Sequence, residues 1–247
     1  MLEKYYYDLH IHSCLSPCGD DDMTPNNIAG MAALKGLQVL ALTDHNSCKN
    51  CPAFFEACKK HGIVPIAGAE ITTAEDIHVI CLFPTLEDAM KFDCALEEHK
   101  ILFPNDEEAF GAQLIMDGED NVIGHEENLL VNATMLDIDS LVCFAEKFNA
   151  LVYPAHIDRE SNGIVSVLGT LPVDGNFSAY EFHFASKIGE FKERFSVLEK
   201  SPIVVSSDAH FLWDISEAEN YFEISLDSYS STALRECIFS YLSGDKI

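Results

Sequence analysis

Histidines and carboxylates close several apolar runs of this chain: Asp8-Leu-His10-Ile-His12, Thr43-Asp44-His45, Gly68-Ala-Glu70, Pro154-Ala-His156 and Ser207-Asp208-Ala-His210, with Ile77-His78 as a sixth. Imidazole and carboxylate gathered in one place bind divalent metal ions, and the chemistry such ions support is hydrolysis. Residues two apart on a strand share a face, with Cα atoms roughly 7 Å apart, so His10 and His12 can grip one ion. Asp8 falls on the same face by that count and could orient one ring through its second nitrogen. Asp208 and His210 repeat the spacing after the apolar run 203–205. An ionised aspartate buried there without a cation would carry a desolvation cost on the order of several kcal/mol. Each cluster alone has a quieter reading: Asp208 could close a turn, Asp44 could form an Asx turn, and Glu70 could pair with a lysine. Their coincidence argues for a site, since six of the ten histidines fall at such run ends. His61 before Gly62, and His99 late in a charged segment, read instead as helix-end residues that complement the dipole.

The elements that must position these residues alternate. Strands are expected at 5–12, 39–43, 64–71, 77–83, 151–156, 179–182 and 203–207. Helices are expected at 24–35 (Thr24 as N-cap, Pro25 at the first position), 52–61, 86–100, 139–148, 188–198 and 231–242. That order favours an α/β fold, and strand ends scattered along a sequence meet in space when a sheet closes into a barrel. Residues 113–132, around Asp117-Gly118-Glu119-Asp120, break the rhythm and read as a polar hairpin excursion. With no internal repeat or linker composition, 1–247 reads as one domain.

Composition limits the partners. The chain has 247 residues, 48% of them apolar, enough for one large core. Fifteen basic against 41 acidic residues give a net charge of −26, which repels long nucleic acid unless metals or a local basic patch intervene. A small phosphorylated substrate held by metal ions is the expected partner. No apolar run approaches a membrane span, and residues 1–4 leave little room for a presequence before the first strand, so a cytoplasmic protein is expected. Nine cysteines without a secretory signal argue for reduced thiols. The sequons at Asn132 and Asn176 read as chance. Cys14, Cys18, Cys48 and Cys51 follow the His10/His12 and His45 runs, and could alternatively gather as a zinc, iron-sulfur or redox site.

In this order, Asp-Leu-His10-Ile-His12-Ser, Thr-Asp-His45, Gly-Ala-Glu70-Ile, His78, Pro-Ala-His156 and Ser-Asp208-Ala-His210 resemble the successive motifs of the PHP (polymerase and histidinol phosphatase) superfamily. The resemblance runs from Asp8 to His210. It implies a distorted (β/α)7 barrel with two or three divalent ions at the C-terminal ends of the strands. Carried across, His10, His12, Glu70 and Asp208 would hold the first ion; Glu70 would bridge to a second, shared with His78 and His156; Asp20, His45 and His210 would hold a third. The family has a shorter turn where this chain reads Ser16-Pro-Cys-Gly-Asp20-Asp21-Asp22, which leaves Asp21 as the alternative to Asp20. Zinc, manganese and iron all suit such ligands. Clustered ions would polarise phosphoryl oxygens and make hydroxide available near neutral pH, with His210 or His45 protonating the leaving oxygen. Arg159 resembles the phosphate-contacting arginine of relatives, and otherwise would pair with Asp158 or Glu160. Glu181 and His183 read either as substrate contacts or as a buried polar pair. The expected function is a metal-dependent phosphoesterase acting on a small monoester or diester, such as a nucleotide or sugar phosphate. The alternatives are an exonuclease on short oligonucleotides and a non-catalytic metal or redox sensor.

Overall fold

Two βα units build the start of the chain. β1 (Glu3–Asp8), α1 (Pro25–Leu34), β2 (Val39–Leu42), α2 (Cys51–His61) and β3 (Val64–Thr72) follow in order, with the three strands parallel. The structure, a computed structural model, describes residues 2–172 and 175–244, so the span expected for one domain, 1–247, also includes positions outside them. Thr24 caps α1 by accepting the Asn27 N–H, and Pro25 opens the helix. α2 ends at Gly62, whose φ of 71° is the left-handed cap conformation that glycine adopts without penalty. Lys59, Lys60 and His61 fill its last turn, as expected for His61.

The chain then departs from regular βα alternation. β4 (His78–Phe83) returns antiparallel to β3 without an intervening helix. Next come α3 (Leu86–Leu96), α4 (Glu107–Phe110), the hairpin β5 (Leu114–Met116) and β6 (Val122–His125), α5 (Ile138–Ala145) and β7 (Leu151–Pro154), which pairs antiparallel with β4. The remainder is α6 (Ile164–Leu168), β8 (Tyr180–Phe182), α7 (Ile188–Arg194), β9 (Ile203–Val205), β10 (Tyr221–Ile224) and α8 (Ser231–Leu242). One sheet has the order β10-β1-β2-β3-β4-β7, and β8 and β9 form a separate parallel pair. Hydrogen bonds carry the curl across the gaps: Ile157 N to Glu181 O at 2.9 Å beside β7 and β8, and His12 N to Ala209 O at 3.0 Å beyond β1 and β9. The result is a mixed α/β fold with a curled half-barrel sheet.

Residue alternation explains its two cores. On β2 and β3, Val39, Ala41, Val64 and Ile66 face a core closed by Leu234, Ile238 and Leu242 of α8. Leu40, Leu42, Ala67 and Ala69 face the core under α1, α2 and α3. Both faces are covered, so β3 is buried along all nine residues. Glu70 continues the face of Val64 and Ile66. β4 runs backwards, so its first residue, His78, opposite Thr72, reaches the same mouth at which β1, β2, β3 and β7 end.

The expected hairpin excursion is present. Asp117 accepts the N–H groups of Glu119 and Asn121 to close its turn, and Asp120 accepts from Asn26 N (3.1 Å) and Nδ2 (2.9 Å), docking the tip on the start of α1. The sequence reading lacked the four-residue edge strand β10 and the short α4 and α6, which carry too few periods to register. The expected helix over 86–100 stops at Leu96 and tightens into a 3-10 turn at Glu97–His99. Among the described residues, no helix is long and apolar enough to cross a membrane.

Candidate metal centre

Five imidazoles surround the Glu70 carboxylate. His10 Nε2 and His12 Nε2 lie 3.3 Å from it, His45 Nδ1 3.0 Å, His78 Nδ1 2.9 Å and His156 Nε2 3.2 Å. Asp208 Oδ1 stands 3.2 Å from both His10 Nε2 and His12 Nε2. Three sets of potential ligand atoms converge within 4.8 Å: His10, His12, Glu70 and Asp208; His45, Glu70 and His78; and His12, His45 and His210. The first set is the one expected for the first ion. In the other two the partners differ from the expected sets: His45 joins Glu70 and His78 where His156 was expected, and His12 joins His45 and His210 where Asp20 was expected.

The proton bookkeeping tests whether a cation fits. His10 donates from Nδ1 to Glu181 Oε1 at 2.8 Å, and His210 donates from Nδ1 to the Asp208 carbonyl at 2.8 Å. His12 donates from Nδ1 to Ser16 Oγ at 2.9 Å, while that hydroxyl donates to Asp44 Oδ1 at 2.7 Å and accepts the His45 N–H at 3.1 Å. When these rings are neutral, His10, His12 and His210 present bare Nε2 lone pairs to the site. His10 and His12 Nε2 are 3.1 Å apart, facing carboxylate oxygens, and Glu70 Oε2 and Asp208 Oδ1 are buried without hydrogen-bond donors. A cluster of acceptors with no donor is what a divalent cation satisfies, so the residues fit one. A proton is the competing cation. Burial opposes charge on His12, yet hydrogen bonds to Asp208 and Glu70 outweigh it and raise its pKa to about 9. Burial also works against Glu70, but His78, His10 and His45 hold its carboxyl well below the ordinary range. His45 and His210 are lowered, chiefly by burial, to about 4 and about 3. Backbone strain accompanies the site: His156 has a φ of 26° and Asp208 a φ of 53°, both in the left-handed region that non-glycine residues rarely hold.

Several expected roles are corrected. Asp8 does not orient a ring. Tyr5, Tyr7 and Leu9 pack in one core and Ile11 in the other, so the alternation breaks after the β1 ladder ends. Asp8 instead accepts the N–H groups of Ser207 (3.1 Å) and Ser216 (2.9 Å). The orienting groups are Glu181 and the Ser16–Asp44 pair, which also replaces the Asx turn at Asp44. Neither was legible as such, since Glu181 lies 171 residues from His10. Asp20 turns its carboxylate back to the Asp22 N–H at 2.9 Å, and only its backbone meets His210. Neither Asp20 nor Asp21 belongs to a converging set among the described residues. Arg159 pairs with Asp208, not with Asp158 or Glu160, while Asp158 accepts the N–H groups of His183 and Phe184. The four thiols do not gather: Cys48 and Cys51 bond the Gly68 carbonyl in the core, Cys14 packs with Ala53 and Met116, and Cys18 is exposed.

Comparison with known proteins gives partial matches in sequence and nearly whole-chain matches in fold. The chain is 31% identical over 129 residues to a 5'-3' exoribonuclease of Haemophilus influenzae, covering 46% of each. It spans less than half the length of the curated relatives it matches. Among solved structures, the lesion-specific endonuclease EndoQ of Pyrococcus furiosus superposes with a TM-score of 0.62 at 18% identity, over 99% of this chain and 56% of that one. A further endonuclease Q structure, with a TM-score of 0.53 at 20% identity over 85% of this chain and 50% of that one, holds a 27-mer duplex with an abasic lesion at its active site. A Bifidobacterium adolescentis protein assigned as a metal-dependent phosphoesterase superposes with a TM-score of 0.55 at 15% identity, over 97% and 98% of the two chains. These likenesses are of fold. Residues 8–152 match the PHP domain, a span that contains His10, His12, His45, Glu70 and His78 but stops before His156, Asp208 and His210, which the fold itself brings to the same mouth. With more than half of its length in that match, the chain belongs to the PHP domain family.

Proposed function

We propose that this protein is a metal-dependent phosphoesterase whose centre is the acceptor cluster around Glu70, within one domain whose β8–β9 pair completes a seven-stranded ring. The observation that carries the reading is the convergence of His10, His12, Glu70 and Asp208, with Glu70 Oε2 and Asp208 Oδ1 buried and lacking a hydrogen-bond donor. In this reading His10, His12, Glu70 and Asp208 hold one ion, His45, Glu70 and His78 a second, and His12, His45 and His210 a third; His156 supports Glu70. Zinc, manganese or iron suits these donors. Bound ions supply Lewis-acid charge to phosphoryl oxygens and raise the acidity of water.

The chain's own residues bind and orient. Arg159, whose side chain is 39% exposed beside Asp208, can turn its fork to a phosphate while staying at the mouth. His45 and His210, lowered to about 4 and about 3, are neutral at pH 7 and serve as ligands instead of acids. A ring that holds an ion cannot at the same time give up a proton, so in this reading the leaving oxygen takes its proton from another group.

Nucleic-acid ends are the second reading. The net charge disfavours a long polyanion, but an exoribonuclease relative and the duplex held by endonuclease Q keep an oligonucleotide among the substrates to be tested. Manganese-supplemented protein assayed against p-nitrophenyl phosphate, bis(p-nitrophenyl) phosphate and a 3'-labelled RNA decamer separates these readings. Release from the small esters supports the first, stepwise shortening of the decamer alone supports the second, and no release from any refutes both.

A further inference from the structure

Beside the metal mouth lies a larger cavity of about 850 Å³, and the two share Arg159, Asp208 and His210. A group esterified to a phosphate at the mouth can extend past these shared residues into the lobe. Two aromatic rings line it: Phe184, 48% exposed, and Phe211, half-buried. Neither ring is needed to fill a core. Both are held in place nonetheless. Phe211 stacks on Trp213 with centroids 4.9 Å apart and planes 13° apart, and Phe184 meets His183 edge-on at 4.4 Å, with its N–H fixed by Asp158 at 2.9 Å. The same cavity includes Asp214 and Glu219, which are exposed and, among the described residues, paired with no cation.

Resting on the phosphoesterase reading, we propose that this lobe binds the nucleobase of a nucleoside phosphate. Fixed, solvent-facing aromatic rings are stacking platforms for flat π-systems. Unpaired carboxylates accept from ring amino and imino groups and repel a second phosphate. A sugar phosphate alone offers no flat face and leaves much of the volume unfilled. The lobe therefore selects nucleoside phosphates over sugar phosphates at the same metal centre.

Trp213 is the only tryptophan in the chain, and its contact with Phe211 makes it a fluorescence reporter of the lobe. Manganese-loaded protein is titrated with the non-hydrolysable phosphonate analogues of adenosine monophosphate and of ribose 5-phosphate. The adenosine analogue should bind at least tenfold more tightly, the order that base–aromatic stacking supplies. Phe184→Ala should erase that preference, and Phe184→Tyr should keep it. Equal affinities for the two analogues, or an unchanged preference in Phe184→Ala, overturn the proposal. Phosphate release from p-nitrophenyl phosphate by the same preparation separates the two levels. Release without a base preference refutes the lobe alone. A base preference without release refutes the phosphoesterase and leaves the lobe standing.

Discussion

Glu70 is where the residues of the site meet, with five imidazoles around its carboxylate. How well they receive a metal depends on proton placement set one bond further out. Ser16→Ala removes the acceptor for His12 Nδ1–H and frees that ring to take the other tautomer. Metal affinity should fall on the order of 10- to 100-fold in a competitive chelator titration, while the fold holds. Wild-type affinity in Ser16→Ala would show that Ser16 only packs. Arg159→Ala should instead retain metal and raise KM, because its guanidinium faces the mouth from outside the converging ligand atoms. The ligand histidines were legible because each ends an apolar run, a local pattern. Glu181 and the Ser16–Asp44 pair were not, because what they do depends on partners brought together only by the closed sheet. For Asp20 the sequence could not say where the carboxylate turns: in the structure it accepts the Asp22 N–H inside its own turn.

At the scale of elements, β3 sits beneath the mouth in close contact with β4 and with the residue that follows β2. Gly68 shows how tightly. A Cβ there would lie 2.8 Å from Leu82 Cδ2, 2.9 Å from the Cys81 carbonyl and 3.0 Å from Thr43 Cγ2. Gly68→Ala should cost about 1–3 kcal/mol, read as a lower urea midpoint, since the backbone oxygen of β4 cannot yield without disturbing the ladder. An unchanged midpoint would mean that β3 and β4 part more easily than their register implies. Apolar runs made the strands of the half-barrel readable, and the Gly-Glu turn marked the hairpin. The antiparallel turn of β4 was not readable, since the gap between the apolar runs says nothing of direction. Yet that reversal is what delivers His78 to the mouth.

At the scale of the molecule, the same acceptors link stability to pH. Without a cation, His12 has a folded-state pKa of about 9, above its unfolded value of about 6.5, so its contribution is complete below pH ~6.5 and is lost as pH rises through about 9. His45 and His210, lowered to about 4 and about 3, act oppositely: the unfolded chain takes up protons below pH ~6.5 and the native state loses stability there. Chelated protein should therefore be most stable near pH 6.5 and weaken towards pH 9. Metal-loaded protein should not weaken over that interval, because deprotonated ligands bind metal more tightly as pH rises. Parallel thermal-melting profiles for the two forms would contradict this linkage.

The most direct test is the metal content and phosphoesterase activity of wild-type protein and of His12→Ala, both purified without chelators and measured by elemental analysis and by phosphate release on one preparation. Wild type should carry two or three ions per chain and release phosphate, and His12→Ala should lose metal and activity together while its circular dichroism is unchanged. A His12→Ala protein that kept full metal and full activity would contradict the centre, as would wild type that stayed inactive and empty after reconstitution with Mn²⁺, Fe²⁺ or Zn²⁺.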